Sequence, residues 1–254
     1  MAIKLIDSHC HLDFPVFDAN RSELIKQCNA VGIGGFIVPG VTAENWPRLV
    51  ELQSQFAGIS IAFGLHPYFI EQHAAQDLDL LSQYCEKYQP VAIGEIGLDY
   101  YRKDLDKTKQ LEFFQRQLEL ANAFQLPVIL HVRKAHQDVL ALLKKTKVKG
   151  GIVHAFSGSA EQAREYIKLG FMLGFGGAIT YPNASKLKKL AKSLPLDFMV
   201  LETDSPDMKP FEYTDQANTP LTLIRVLDEI SELRGEKKES LAMVFLSNTQ
   251  RIFS

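Results

Sequence analysis

Pro127-Val128-Ile129-Leu130-His131 follows the amphipathic stretch Lys107 to Phe124 and precedes a second short apolar run with the same ending, Gly151-Ile152-Val153-His154. A few apolar residues between turn-forming neighbours have the length of a buried strand, whereas a longer stretch with apolar positions every three or four residues is a helix. Helix and strand in alternation are βα units, which build a parallel sheet. The alternation extends in both directions. Apolar runs begin near Ile3, Gly35, Ile59, Val91, Pro127, Gly151, Phe171 and Phe198, with helix-period segments such as Ala160 to Leu169 between them. Eight repeats predict an α/β fold of the (β/α)8 TIM-barrel type. Helix punctuation agrees. Ser159 and Gln162 fit a capping box, in which each side chain satisfies a free backbone donor. Thr219-Pro220 opens and Gly235 closes a helix over Leu221 to Leu233, because proline needs no N–H in a first turn and glycine accepts a left-handed end. A further C-terminal helix is expected from about Ser240 to Ile252.

With 254 residues and 46% hydrophobic content the chain can bury a large core, which excludes a disordered class. No internal repeat, low-complexity tract or Gly/Ser linker divides it, so residues 1–254 are expected to form a single domain. The longest apparent loop, Thr203 to Asn218, follows the eighth run, where barrels of this kind build their substrate mouth. A net charge of -2 gives no global basic field, so a polyanionic substrate requires local attraction. Cys10, Cys28 and Cys85 are an odd set without C-x-x-C spacing, which argues against a disulfide framework or a cysteine zinc knuckle. Residues 1–6 lack the apolar length of a signal peptide, and no window approaches the roughly 20 apolar residues of a membrane span. The expected setting is the cytoplasm.

Metal-binding chemistry is suggested by what ends the apolar runs. His9 and His11 lie two apart after Ile3-Lys4-Leu5-Ile6-Asp7, and on an extended strand such residues project the same way. Alone, the pair reads equally as polar surface. His66, Glu95, His131, His154 and Asp204 also follow strand-like runs, and parallel barrel strands deliver their carboxyl ends to one rim. Imidazole nitrogen with carboxylate oxygen suits zinc, manganese, iron, nickel or cobalt, and oxygen-richer sites lean toward magnesium. His9, His11, Glu95, His131, His154 and Asp204 exceed the needs of one tetrahedral ion. Two divalent cations roughly 3.5–4 Å apart, bridged by Glu95, would use them and activate a shared water, so a binuclear hydrolase is predicted.

The motifs Asp7-Ser8-His9-Cys10-His11-Leu12-Asp13, Gly64-Leu65-His66-Pro67, Gly94-Glu95-Ile96-Gly97-Leu98-Asp99-Tyr100, Pro127 to Arg133, His154-Ala155-Phe156-Ser157-Gly158 and Leu201-Glu202-Thr203-Asp204-Ser205-Pro206 occur in order along nearly the whole chain. In them the sequence resembles the TatD-related metal-dependent hydrolases of the amidohydrolase superfamily, in particular the YjjV-like branch. The resemblance implies a distorted (β/α)8 barrel and two divalent metals, Zn, Mn or Mg. It also implies His9, His11, Glu95, His131, His154 and Asp204 as ligands, and a deoxyribonuclease activity, including 3′-5′ exonuclease action, on DNA. The alternative is a small-molecule amidohydrolase cleaving an amide, ester or lactone with the same ions.

Individual roles follow. Glu95 bridges, although a carboxylate there could also pair with a lysine or cap a helix. Asp204 ligates and accepts a proton from the attacking water. Glu202 supports rather than ligates. His66 contacts substrate or else holds the Pro67 loop, and Arg133 offers a forked phosphate contact or a rim salt bridge. Asp99, Tyr100 and Ser157 have no decided role, and His73 and His136 read as incidental. Lys144, Lys145, Lys147 and Lys149, with Lys186, Lys188, Lys189 and Lys192, could follow a DNA backbone or simply be solvated. Tyr68, Phe69, Tyr100 and Tyr101 could stack on bases or pack under loops. No sequence-specific DNA-reading motif is present, so weak sequence preference is expected.

Overall fold

The computed structural model describes residues 3–253. Its strands are β1 (Leu5–Asp7), β2 (Ile33–Pro39), β3 (Ile59–Phe63), β4 (Ala92–Asp99), β5 (Val128–Arg133), β6 (Gly151–Val153), β7 (Phe171–Phe175) and β8 (Met199–Leu201). They form one eight-stranded sheet in sequence order. Each strand is followed by a helix: α1 (Arg21–Ala30), α2 (Trp46–Gln55), α3 (Ala75–Tyr88), α4 (Lys107–Phe124), α5 (His136–Thr146), α6 (Ala160–Lys168), α7 (Ser185–Ser193) and α8 (Leu223–Arg234). The extra helix α9 (Lys238–Phe253) completes the (β/α)8 barrel class expected from the alternation. The register breaks between Leu5 and Ile6 and between Ile93 and Ile96.

Contacts divide the chain into two compact units. One takes the residues up to Val38 with Leu173–Arg251. Here the Ser8 amide donates to the Leu201 carbonyl, which joins the end of β1 to β8. Asn248 of α9 donates to the carbonyls of Leu196 and Met199 at 2.7 and 2.8 Å, fixing the entry to β8. Arg234 closes α7 by donating to the carbonyls of Ala191 and Leu194 at 2.7 and 3.1 Å, where a cation satisfies the free carbonyls of a helix end. Gly235 ends α8 with φ of 65°, as expected. The start of that helix differs: Thr219 makes no side-chain cap, and the Asn218 side-chain oxygen instead accepts from the Thr219 amide and the Thr222 hydroxyl.

The second unit spans Pro39–Met172 with the last residues from Ile252. Val128, Ile129, Leu130, Ile152 and Val153 are fully buried, which explains their uninterrupted apolar runs. Behind β3, Trp46, Phe63 and Tyr84 pack with centroids 5.2–5.7 Å apart, and the Trp46 indole N–H donates to the Gly64 carbonyl. Such contacts combine large area burial with a satisfied polar edge. The Ser159–Gln162 capping box forms as expected, with reciprocal bonds of 2.8 and 3.2 Å. Among the described residues, no helix is long and apolar enough to cross a membrane.

All three cysteines are buried, and burial pushes the Cys28 and Cys85 thiols up to about 12. The thiolate is the reactive form. The folded protein is therefore expected to react with a disulfide reagent at pH 8 at well under one thiol per chain over minutes, and to release all three after denaturation. Rapid labelling of the native protein would contradict this burial.

Candidate metal-binding residues

Within the first unit, β1 stops at Asp7, so His9 and His11 are carried by the segment after the strand rather than by the strand itself. Backbone bonds replace strand periodicity as the positioning device. The Asp204 amide donates to the His9 carbonyl at 2.9 Å, and the His11 amide donates to the Ser205 carbonyl at 2.7 Å. Below them, the buried Asp7 carboxyl accepts from the Thr203 hydroxyl at 2.6 Å and the Thr203 amide at 3.0 Å. Burial pushes Asp7 up to about 8, against the lowering effect of those bonds. Asp204 adopts a left-handed φ of 54°, a conformation that Asp enters more readily than most residues.

His9 Nε2 and His11 Nε2 then lie 3.4 and 3.6 Å from Asp204 Oδ1. These separations exceed an ordinary hydrogen bond. Donor atoms 2.0–2.1 Å from a tetrahedral cation would be roughly 3.3–3.4 Å apart, so the spacing fits a shared ion. Burial and the neighbouring Asp204 also push the Asp207 carboxyl up, with His11 opposing. Glu202 is fully buried on the bare backbone of β7, where a Cβ on Gly174 would lie 2.2 Å from its Oε2.

In the second unit the hub is Glu95, which sits within β4 rather than at its end. Its Oε1 lies 3.1 Å from both His66 Nε2 and His131 Nδ1, and 3.6 Å from His154 Nε2. His66, Glu95 and His131 form a group whose donor atoms could hold a metal ion. His131 belongs to β5, and His154 follows β6 with its amide bonded to the Leu130 carbonyl.

Asp99, undecided from sequence, now has a partner: its Oδ2 lies 3.0 Å from His131 Nε2. A carboxylate on one ring nitrogen fixes a histidine's tautomer and orientation, and here it leaves Nδ1 facing Glu95 as the nitrogen that could hold a metal ion. Burial alone would lower the His131 pKa, but Asp99 and Glu95 outweigh it and turn the net shift upward. Burial likewise opposes ionisation of Asp99, and His131 overcomes it, so Asp99 is held below the usual carboxylate range.

Of the two readings left open by sequence, the structure shows His66 holding the Pro67 loop. Its Nδ1 accepts from the Tyr68 amide at 3.0 Å, holding the Pro67 turn, which makes Nε2 the donor toward Glu95. His73 is not incidental: it is buried and donates to the His66 carbonyl at 2.9 Å. Helix α4 clamps both neighbourhoods with buried glutamines. Gln117 exchanges two hydrogen bonds with the backbone of Leu65, and Gln110 exchanges two with the backbone of Asp99. Arg133 is half exposed, with Nη1 3.9 Å from Asp99 Oδ2. Of the lysine clusters, Lys144 pairs with Glu165 and Lys188 with Glu229, so part of their charge is neutralised.

Asp7, Thr203, Gln110 and Gln117 escaped the sequence reading. Asp7 and Thr203 stand inside the motifs quoted above, but partners 196 positions apart are invisible to local spacing. Gly64 is equally cryptic: a Cβ there would meet Gly94 C at 2.5 Å and the Glu95 backbone N and O at 2.7 Å. These are backbone atoms with no rotamer to yield. Gly64→Ala is expected to cost about 1–3 kcal/mol of stability, measured by denaturant unfolding, with weaker metal uptake. An unchanged midpoint would refute the close approach.

Residues 6–254 match the model of a family described as TatD related DNase. The chain is 39% identical to the uncharacterized metal-dependent hydrolase YjjV of Escherichia coli K12, covering 100% of this chain and 99% of that one. It is 35% identical to the uncharacterized metal-dependent hydrolase YabD of Bacillus subtilis, covering 98% of each. The crystal structure of E. coli YjjV, described as a TatD homologue, matches with a TM-score of 0.95 over 100% of this chain and 99% of that one.

Proposed function

Since the chain belongs to the TatD-related DNase family and is a metal-dependent hydrolase, we propose that its reaction is cleavage of DNA phosphodiester bonds from the 3′ end. The proposal places it in the cytoplasm as a single catalytic domain with weak sequence preference. The observation that carries the substrate is the family match over residues 6–254. The donor sets support the chemistry.

We assign His9, His11 and Asp204 to one divalent cation and Glu95, His131 and His154 to a second, of Zn, Mn or Mg. When bound, the cations supply the positive charge that makes a water acidic enough to attack and neutralises the departing sugar oxygen. The side chains do the remaining work. Asp204 turns Oδ1 toward both imidazoles, and its carboxylate is assigned the proton of the attacking water. Asp99 orients His131, the Nε2–H of His66 positions Glu95, and His66 is assigned the first phosphate contact. Arg133 supplies the second phosphate contact.

The test uses protein stripped with a chelator and 3′-labelled or 5′-labelled single-stranded DNA. Nucleotides should be released only after Mg, Mn or Zn is restored, and from the 3′ end. Absence of release with every ion would reject the nuclease; turnover of a lactone, ester or amide panel under those conditions would install the small-molecule hydrolase instead.

A further inference from the structure

We propose that Tyr101 and Arg133 form a preassembled nucleotide subsite in which the guanidinium edge takes a phosphate and the tyrosine ring takes the adjoining base. Its place in a reaction rests on the nuclease reading; its existence is argued from geometry. Arg133 ends β5, two residues beyond His131, and its guanidinium carbon lies 4.0 Å from the Tyr101 ring centroid. Stacking occupies the face of a guanidinium and leaves its N–H edge for planar recognition of an anion. The 3.9 Å separation from Asp99 is too long for a hydrogen bond, so it orients the group without consuming the donors. Tyr101 is 57% exposed, the most exposed aromatic among the described residues, as expected of a ring that receives a base.

The pair is built onto the metal-binding residues. Asp99 Oδ1 accepts from the amides of Tyr101 and Arg102 at 3.0 and 3.3 Å, while its Oδ2 meets His131 Nε2. One buried carboxylate therefore fixes the loop that bears the ring and the imidazole that would face a metal. A phosphate held by Arg133 is thereby delivered beside His131.

The same loop provides an internal comparison. Arg102 lies over the Tyr68 ring at 4.8 Å, but its Nε and Nη2 donate to the two Asp104 oxygens at 2.9 and 2.6 Å. That fork is filled and its charge cancelled. The two pairs thus share a stacking geometry but differ in what the arginine has left to offer, and Arg133 is the one suited to an anion.

Isothermal titration of the metal-loaded protein with inorganic phosphate, thymidine and thymidine monophosphate tests the subsite. Arg133→Gln should weaken phosphate and the nucleotide by about tenfold, with Arg133→Lys restoring only part because lysine is a point charge. Tyr101→Ala should weaken the nucleotide by about tenfold but phosphate far less, and Tyr101→Phe should match the parent. Arg102→Gln should change neither. Unchanged binding in Arg133→Gln, equal losses for both probes in Tyr101→Ala, or an Arg102→Gln effect equal to that of Arg133→Gln would overturn the subsite. The conservative variants keep the comparison readable where a larger change disturbs folding. If these patterns appear but DNA is not cleaved, the subsite stands and the nuclease falls. If DNA is cleaved and the probes bind all variants alike, the reverse holds.

Discussion

Glu95→Gln is expected to lower turnover at saturating substrate by about a thousandfold or more while leaving the protein folded. The substitution preserves volume and removes one negative charge. Three imidazole nitrogens lie within 3.6 Å of Glu95 Oε1, so this oxygen is the hub of its donor set. An amide neither attracts a divalent cation as a carboxylate does nor accepts donors on both of its terminal atoms. Metal-ion catalysis contributes several kcal/mol to transition-state stabilisation, which corresponds to about three orders of magnitude. Elemental analysis should show reduced metal content alongside the kinetic loss. Full activity with metal retained would remove Glu95 from the centre and, with it, the present account of the second unit's chemistry.

Asp204→Asn is the second large effect, about 10²–10⁴-fold in turnover, the span associated with a positioned acid–base group. Here the design of the measurement separates two roles. If Asp204 only ligates, excess metal restores the rate. If it also takes the proton from water, turnover stays low at saturating metal, which is the expected result. The left-handed backbone at Asp204 is tolerated by asparagine as well as by aspartate, so the exchange introduces no new conformational conflict. Recovery to the parental rate on adding metal would sink the base assignment.

The sequence disclosed the barrel because buried parallel strands require unbroken apolar runs, and Val128-Ile129-Leu130 and Gly151-Ile152-Val153 supply them. It also marked side chains that the structure groups, His9 and His11 with Asp204 and His131 and His154 with Glu95, since His and acidic residues following such runs have no packing reason to be there. What it missed depends on contacts between distant segments. The histidine pair looked like a strand feature, yet its placement comes from backbone bonds to Asp204 and Ser205. His73 looked like surface because local pattern gives no hint that its nitrogen meets the His66 carbonyl. Thr219 matched a helix cap by type, but Asn218, one position earlier, has the longer reach and makes the bonds. Asp99 was visible as a motif residue, while its partnership with His131 required the β4–β5 register.

Gln110 and Gln117 stand about two turns apart on one buried side of α4, each gripping a backbone rather than a side chain. Their hold is therefore indifferent to which amino acids the gripped segments display. Descendants of such a molecule are free to rewrite the exposed tips beyond Leu65 and Asp99 while the spacing dictated from behind is inherited intact. Novel selectivity can accumulate without rebuilding the scaffold, and the two glutamines should outlast the surfaces they serve.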